Sequence, residues 1–458
     1  MRVRKAAGLS LSVLMLLLAV GSGLSAGAPA PGPARLTATE VGPAQNAPWF
    51  VTEIDTAGDV GQFASAAVSD SAGRTFISYY DPVAGDLRVA RYPSLAGNCG
   101  PQNSWYCGTV DGEGDVGMYS SIAASDGLVY IAYHDATNGD LKVARSEARW
   151  WGWSVFTLDK GIHPVTTGLY PSLSYGTGVV PNIVYYSSNP GGEDALRLAH
   201  YVGSGGNCGY GSWAGEWQCD TIQTGEGVGQ YPSIYVVGCC GRHIAYYHAA
   251  NGDLWYATNT SGSNCGPGNS WTCYPVTGST TDVGQHASLY VNSGGHFHIA
   301  YYDATNDVLK YAVDVGSGGN CGLFGSAQCD EIDGMMQGYN EVGLSMAEDA
   351  LGYPIIAYQS EYGSLNVARP LGALGWPATW GNCGPEEMLF TTWRCDTIDR
   401  YGLWTPWRNG DYVSIDLDAS GLATIAYQRY YLTAGTGNLM VAYQQLLHAF
   451  LPMVLKSP

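Results

Sequence analysis

The chain has 458 residues, of which 46% are hydrophobic and only 13% are charged. This apolar fraction is enough for a folded core, so a wholly disordered chain is excluded. The 39 acidic residues outnumber the 20 basic ones, and the net charge of −19 argues against nucleic acid or an anionic membrane as partner. Abundant Gly and Tyr with few Lys and Glu favour strands and turns over helices.

The N-terminal 28 residues have the organisation of an export signal. Three basic residues among the first five precede an apolar run from Leu9 to Val20, and small residues follow it. The run is short for a membrane span, although an uncleaved anchor is the alternative. We expect residues 1–28 to be removed, which lowers the net charge to −22, and residues 29–47 to form a Pro/Ala-rich linker. No later segment is long and apolar enough to span a membrane, so we expect a secreted or cell-surface protein.

Ten of the twelve cysteines form pairs of close sequence neighbours, and most first members stand in a Gly-Asn-Cys-Gly frame. The spacings do not match zinc knuckles. We therefore predict local disulfides formed in an oxidising compartment. The predicted pairs are Cys99 with Cys107, Cys208 with Cys219, Cys265 with Cys273, Cys321 with Cys329, and Cys383 with Cys395. The adjacent Cys239 and Cys240 form either a vicinal disulfide or two buried thiols.

One short sequence motif, of which Ile299-Ala300-Tyr301-Tyr302-Asp303 is an example, recurs seven times along the chain at spacings of 52 to 69 residues. Its second-strand tyrosine never varies: Tyr79, Tyr133, Tyr185, Tyr246, Tyr301, Tyr358 and Tyr427. This period, with turn residues between short β-rich runs, is typical of propeller blades. A residue that every blade needs is expected to pack between sheets rather than to perform chemistry.

Each repeat contains four predicted strands, and the ends of the chain indicate how the ring closes. Trp49 to Ile54 is a fourth strand without its first three, and Leu439 to Ala442 is a third strand without its fourth. We predict an all-β, seven-bladed propeller over residues 48–446, with the N-terminal strand completing the last blade and removing two open sheet edges. Residues 447–458 form an apolar tail, either an end typical of some exported bacterial proteins or a cover for the propeller's side.

The phrase Ile299-Ala300-Tyr301-Tyr302-Asp303, followed by Leu309-Lys310-Tyr311-Ala312, resembles the blades of bacterial exported propellers of the sialidase-like and fucose-lectin-like superfamilies. The resemblance covers about residues 49–445 and implies the fold alone, because propellers host enzymes, lectins and scaffolds. A sialidase site requires an arginine cluster, which the sequence does not show. The nearest match to an Asp-box, Ser69 to Phe76, lacks the defining Asp and Trp. No catalytic residue is predicted.

Function is expected at the positions that vary among repeats, in the loops that lead into the first strands and out of the second strands. These loops share one face, and we expect their side chains to be exposed. The predicted ligand-binding residues are Tyr119 with His134 and Asp135, Tyr231 with Tyr247 and His248, and His286 with Tyr302 and Asp303. Rings beside hydroxyl and carboxylate groups suit a polyhydroxylated ligand. Solvated residues around a channel are the alternative.

The sequence thus favours a lectin-like module whose partner is an extracellular glycan or a surface protein. The alternatives are a glycoside hydrolase or lyase with its acids on the same face, and a protein-interaction scaffold. No cofactor is predicted. Ca²⁺ in the acidic stretches Asp111–Asp115 and Asp330–Asp333, and a metal between His134, His248 and His286, are weaker alternatives.

Overall fold

The computed structural model describes residues 47–69, 73–125, 127–146, 152–278, 281–335, 342–374, 381–383, 392–400 and 407–445. The predicted signal peptide, nearly all of the linker and the C-terminal tail lie outside these ranges. Within them, no helix is both long and apolar enough to cross a membrane. The described residues are mainly strands and turns, and their α-helical content is the short segment Leu371–Leu374.

The strands form seven four-stranded antiparallel sheets, which we number as blades in chain order. The first strand of the described residues is β1 (Trp49–Asp55), and blades 1 to 3 follow: β2 (Gln62–Ser69), β3 (Arg74–Asp81), β4 (Asp86–Tyr92), β5 (Tyr106–Asp111); β6 (Val116–Ser125), β7 (Leu128–Asp135), β8 (Asp140–Ser146), β9 (Trp153–Asp159); β10 (Thr166–Gly176), β11 (Val180–Ser188), β12 (Asp194–Tyr201), β13 (Trp217–Gly225). Blades 4 and 5 are β14 (Val228–Val237), β15 (Gly241–His248), β16 (Asp253–Thr258), β17 (Thr272–Pro275); β18 (Val283–Val291), β19 (Phe297–Asp303), β20 (Val308–Asp314), β21 (Ala327–Gly334). Blades 6 and 7 are β22 (Leu344–Glu348), β23 (Pro354–Gln359), β24 (Leu365–Pro370), β25 (Trp393–Asp399); β26 (Trp407–Leu417), β27 (Ala423–Tyr431), β28 (Thr436–Gln444).

Strand β1 belongs to the last blade. β1 pairs antiparallel with β28, with Trp49 opposite Gln444 and Glu53 opposite Met440. Blade 7 therefore has the order β26, β27, β28, β1, whereas the other blades are continuous in sequence. The all-β, seven-bladed propeller predicted from the repeats is confirmed.

A belt of seven serines joins the innermost strands of neighbouring blades. Each serine Oγ accepts the backbone N–H of a residue in the next blade, over 2.9 to 3.2 Å. The pairs are Ser65–Ile122, Ser121–Leu173, Ser172–Ile234, Ser233–Leu289, Ser288–Met346, Ser345–Ile415 and Ser414–Ala66. The last pair joins blade 7 to blade 1. The hydrogen bonds therefore close a complete ring around the axis.

The invariant tyrosines lie buried at the blade junctions. Six donate their hydroxyl to a side chain at the end of the preceding blade's fourth strand, and we call these contacts latches. The latches are Tyr79–Asp55, Tyr133–Asp111, Tyr185–Asp159, Tyr246–Gln223, Tyr358–Asp333 and Tyr427–Asp399. In four of them a cation also pairs with the acid: Arg88, Lys142, Arg197 and Arg429. These contacts are the packing role expected for a residue that every blade needs.

All five predicted disulfides are confirmed, and each joins two cysteines of one blade. The bonds are Cys99 to Cys107, Cys208 to Cys219, Cys265 to Cys273, Cys321 to Cys329, and Cys383 to Cys395. The first cysteine of each pair lies in the connection that follows the third strand. The second cysteine lies in the fourth strand itself: Cys107 in β5, Cys219 in β13, Cys273 in β17, Cys329 in β21 and Cys395 in β25. Each bridge therefore fastens a connection to the outer edge of its blade.

The asparagine before each first cysteine explains the repeated frame. Asn98 donates to Cys107 O and accepts from Cys107 N, at 2.9 and 2.7 Å. The other four bridges have the same pair of bonds, which link an asparagine to the backbone of Cys219, Cys273, Cys329 or Cys395. Cys239 and Cys240, between β14 and β15, are free and exposed, so neither alternative, a vicinal disulfide or two buried thiols, is found.

Candidate functional site

Six aromatic side chains form a ring on the face that carries the loops leading into the first strands, which we call the upper face. Each stands two residues before the belt serine of its blade and has a left-handed backbone conformation, with φ between 48° and 58°. They are Phe63, Tyr119, Tyr170, Tyr231, His286 and Tyr412, and we call them the crown. In blade 6 the equivalent residue is Gly343. The crown thus includes three of the predicted ligand-binding residues.

A β-bulge places each crown residue, as blade 2 shows. Met118 pairs with His134 and Ser121 with Ala132, so Tyr119 and its neighbour together face a single residue of β7. The glycine before this bulge is also required. A Cβ on Gly117 would lie 2.7 Å from Leu87 Cα in blade 1, and its φ of 110° disfavours other residues.

The aromatic side chains of neighbouring crown residues contact one another around the propeller axis. Ring centroids lie 4.6 Å apart for Tyr412–Phe63, 4.5 Å for Phe63–Tyr119, 4.4 Å for Tyr119–Tyr170, 4.5 Å for Tyr170–Tyr231 and 4.1 Å for Tyr231–His286. Burial lowers the pKa of His286 to about 4, so its imidazole is neutral at pH 7. Burial and the neighbouring Tyr231 raise the pKa of Tyr170. The crown is therefore an uncharged, half-buried aromatic surface that carries polar groups.

The structure brings several predicted residues together but buries the ones behind the crown. Tyr119 lies 6.4 Å from His134, and Tyr231 lies 6.5 Å from Tyr247, between ring centroids. His134 is buried, and its Nδ1 donates to Thr167 O at 3.0 Å. Burial lowers the pKa of His134, which favours its neutral imidazole.

Two tyrosines of the predicted site are also tied to carboxylates. Tyr247 donates to Asp282 at 2.6 Å, and Tyr302 donates to Asp307 at 2.5 Å. Both rings are buried. They support the loops around the crown rather than standing free in solvent, so their expected exposure is wrong.

The expectation of exposed side chains is also wrong for the two predicted aspartates. Asp135 and Asp303 are 2% and 0% exposed. Asp303 accepts the backbone N–H groups of Thr305 and Asn306, both at 3.0 Å, and pairs with Lys310 at 2.6 Å. These aspartates hold the tight turns between second and third strands, because a short carboxylate can accept from the turn that follows it.

The residues of the metal alternatives are engaged in contacts with neighbouring side chains. His248 packs against Trp255, with 5.2 Å between ring centroids, and burial lowers its pKa. Across the described ranges, no three His, Cys, Asp or Glu side chains are grouped as metal ligands. In the acidic stretches considered for Ca²⁺, Asp111 and Asp333 accept latch tyrosines, and Asp115 accepts the hydroxyl of Tyr80 at 2.6 Å.

A polar cluster in blades 6 and 7 was not predicted. Gln359 Nε2 donates to Asp411 Oδ1 at 2.5 Å, and Arg408 Nε donates to Asp411 Oδ2 at 2.7 Å. Burial raises the pKa of Asp411, although the side chains of Arg408 and Gln359 oppose the shift. Two signals in the repeats point here: blade 6 has Gly343 at the crown position, and blade 7 has a carboxylate directly before its crown tyrosine. The sevenfold pattern is broken in these two adjacent blades.

No protein family and no curated protein matches the chain. Solved structures are similar in fold, at low identity. A protein of unknown function from Dyadobacter fermentans has a TM-score of 0.45 at 9% identity, over 87% of this chain and 98% of that one. A PL25 ulvan lyase has a TM-score of 0.42 at 10% identity, over 85% and 93%. An intramolecular trans-sialidase from Ruminococcus gnavus has a TM-score of 0.40 at 9% identity, over 71% and 93%. The sialidase and lyase neighbours are propellers, and the likeness is one of fold alone.

Proposed function

We propose that this protein is a secreted, lectin-like propeller that binds a neutral glycan on the crown. The observation that carries the proposal is the crown itself, in which six blades hold an aromatic residue (four Tyr, one Phe and one His) in one unfavourable backbone conformation. Left-handed φ in a bulky residue costs about 1–2 kcal/mol, and such strain tends to gather at functional sites.

The chemistry of the crown suits a sugar. Pyranose C–H groups pack on aromatic rings, while tyrosine hydroxyls both donate to and accept from sugar hydroxyls. The neutral imidazole of His286 offers one donor and one acceptor in the same way. An uncharged ligand is favoured because the chain carries a net charge of −19, which repels anionic polysaccharides.

Blade 6 has Gly343 in place of an aromatic crown residue, so the crown is asymmetric around the axis. A ring of identical blades would hold a ligand equally well in seven orientations, whereas blade 6 contributes no crown side chain, because a Cβ at Gly343 would lie 1.8 Å from Gly410 O. The neighbouring side chains of Gln359, Asp411 and Arg408 are buried and bonded to one another, so they support this part of the crown from behind. We therefore expect a glycan to bind the crown in one preferred orientation.

Binding is favoured over hydrolysis by the burial of the best-placed acid. Asp411 is 1% exposed, and both of its oxygens are held by neighbouring side chains. A general acid must come within hydrogen-bond reach of the substrate oxygen, which this carboxyl does not. The hydrolase alternative therefore lacks a suitable carboxyl at this position.

A glycan array with neutral oligosaccharides, followed by titration of the best ligand, tests the proposal. Tyr231→Ala should weaken binding by about 1–3 kcal/mol through lost stacking and hydrogen bonding. Tyr210→Ala is the matched control, because Tyr210 is 43% exposed in a disulfide loop away from the crown. Loss of binding in the control but not in Tyr231→Ala would move the site to the rim. Turnover of aryl glycosides without glycan binding would favour the hydrolase.

A further inference from the structure

The lower face, opposite the crown, contains a cavity of about 410 Å³ at the other end of the first strands. Blades 4 to 7 line it, through β14, β18, β22 and β26. Its chemistry comes from two tyrosines and four acids: Tyr235, Tyr290, Glu348, Asp349, Asp416 and Asp418. The volume lies in the usual range of small-molecule sites.

The seven repeats differ at the level of the cavity, two residues beyond the belt serine, where blade 6 has the small Ala347. Blades 1 to 3 have the small residues Ala67, Ala123 and Ser174 at this position. Blades 4 and 5 have Tyr235 and Tyr290 instead. Blade 7 has Asp416, whose Oδ2 accepts the backbone N–H of Val68 in blade 1 at 2.7 Å. The lower mouth of the propeller is therefore asymmetric, with rings on one side and carboxylates on the other.

The aromatic wall is rigid. Tyr290 is buried and stacks on His298, with ring centroids 4.4 Å apart and an interplanar angle of 5°. Its hydroxyl donates to Gly352 O at 3.1 Å. Tyr235 is half-buried and is the ring of this wall that is open to solvent. Leu289 and Met346 complete the apolar floor.

The acids are of two kinds. Asp349 accepts the N–H groups of Leu351 and Tyr353, both at 2.9 Å, and Asp418 likewise accepts from Ser420 and Leu422. These carboxylates therefore hold turns. Glu348 instead lies at the end of β22 and lines the cavity, half-buried.

The surroundings of Glu348 disfavour its negative charge. Desolvation, followed by the charge of Asp349, raises the pKa of Glu348 to about 7. Tyr235 and Tyr290 also interact electrostatically with Glu348. Arg369 interacts with Asp349 and Asp396 but does not line the cavity. A positive charge placed inside the cavity would therefore relieve the repulsion between these carboxylates.

We propose that the lower cavity binds a small organic cation, an ammonium group attached to a compact apolar body. The ammonium group would lie between the tyrosine wall and the carboxylates, where cation–π attraction and charge pairing act together. The apolar body would cover Leu289 and Met346. A bare metal ion fits less well, because the described residues contain no three-ligand group.

The test is calorimetric titration of the full chain with choline, compared with its neutral isostere 3,3-dimethylbutan-1-ol. Choline should bind at least about tenfold more tightly, because only the charge differs. Its affinity should rise as the pH rises through about 7 and then level off, because the cation favours ionised Glu348. The other ionisable groups that line the cavity with Glu348 are Asp349 next to it in sequence, Tyr235, Tyr290, Asp416 and Asp418.

Glu348→Gln keeps the shape, and it should lower choline affinity about tenfold and remove this pH dependence. Glu113→Gln is the matched control, because Glu113 is exposed on the upper face and its loss changes the net charge equally. Equal binding of choline and its isostere, no choline binding, or unchanged affinity in Glu348→Gln would each overturn the proposal. Tyr231→Ala should leave choline binding intact, so failure of this cavity is separable from failure of the glycan site.

Discussion

The crown and the latches are both built from aromatic residues repeated around the axis. In the latches the residue type is constant, whereas in the crown the backbone conformation is constant. The latch tyrosine has the same identity in every blade, is at most 1% exposed, and in six blades reaches a side chain of the preceding blade. Crown residues share a backbone conformation while their identity changes from Phe to Tyr to His. A fixed side chain indicates a packing task that is the same in every blade. A fixed backbone with a side chain that is Tyr in four blades, Phe or His in two others and absent in blade 6 indicates an aromatic platform that is not the same all the way round.

The largest effect is expected where a latch and the closing strand coincide. Asp55 ends β1 and accepts the hydroxyl of Tyr79 at 2.7 Å, so β1 supplies both the outer strand of blade 7 and one latch acid. Deleting residues 29–55 should lower the free energy of unfolding by about 4–6 kcal/mol, through lost apolar burial, lost pairing and a lost charged hydrogen bond. Deleting residues 29–44 should be nearly neutral. Equal thermal stability of the two truncations would show that β1 does not close the ring.

A smaller loss of stability is expected when a single latch hydrogen bond is removed, and it should be larger for a latch with a charged acceptor than for the latch with a neutral one. Tyr133→Phe removes a 2.7 Å hydrogen bond to buried Asp111 and should cost about 1–3 kcal/mol by urea unfolding. Tyr246→Phe removes a bond to the uncharged Gln223, and should cost less, about 0.5–1.5 kcal/mol. If the two variants lose the same stability, the charge of the acceptor does not matter at the latches.

The smallest effect concerns the lower cavity and depends on pH. The pKa of Glu348 in the folded protein is about 7, above its unfolded value, so ionisation of Glu348 disfavours folding. This penalty is absent at pH 4, develops as the pH rises above the unfolded pKa, and is complete above about 7. Glu348→Gln should therefore leave the melting temperature unchanged at pH 4 and raise it slightly at pH 8. A variant less stable than wild type at pH 8 would contradict this assignment.

The fold and the disulfides could be predicted from the sequence because both are repeated. Seven copies of one phrase reveal which positions each blade requires, and the Gly-Asn-Cys-Gly frame marks the start of each local bridge. The roles of Asn98 and of the belt serines could not be read in advance, because they act through backbone groups that only the folded register brings close.

For the candidate site, the sequence predicted the face on which the side chains lie but not their burial, backbone conformation or contacts. The repeats correctly place Tyr119, Tyr231 and His286 on one face, yet nothing in the sequence reveals their left-handed backbone or their mutual contact. Asp303 was expected in solvent because it follows a strand and precedes a turn. The turn instead folds back over its carboxylate, which Lys310 then covers.

One measurement on a single blade directly tests whether the crown binds the ligand while the latch stabilises the fold. Tyr119→Ala and Tyr133→Phe change the crown and the latch of blade 2, and glycan affinity and melting temperature should be measured on the same samples. Tyr119→Ala should weaken binding about 5- to 150-fold and also lower the melting temperature, because it removes ring contacts with Phe63 and Tyr170. Tyr133→Phe should lower the melting temperature with little change in affinity. The reverse pattern, in which the latch variant loses binding and the crown variant loses only stability, would contradict the assignment of the crown as the ligand platform.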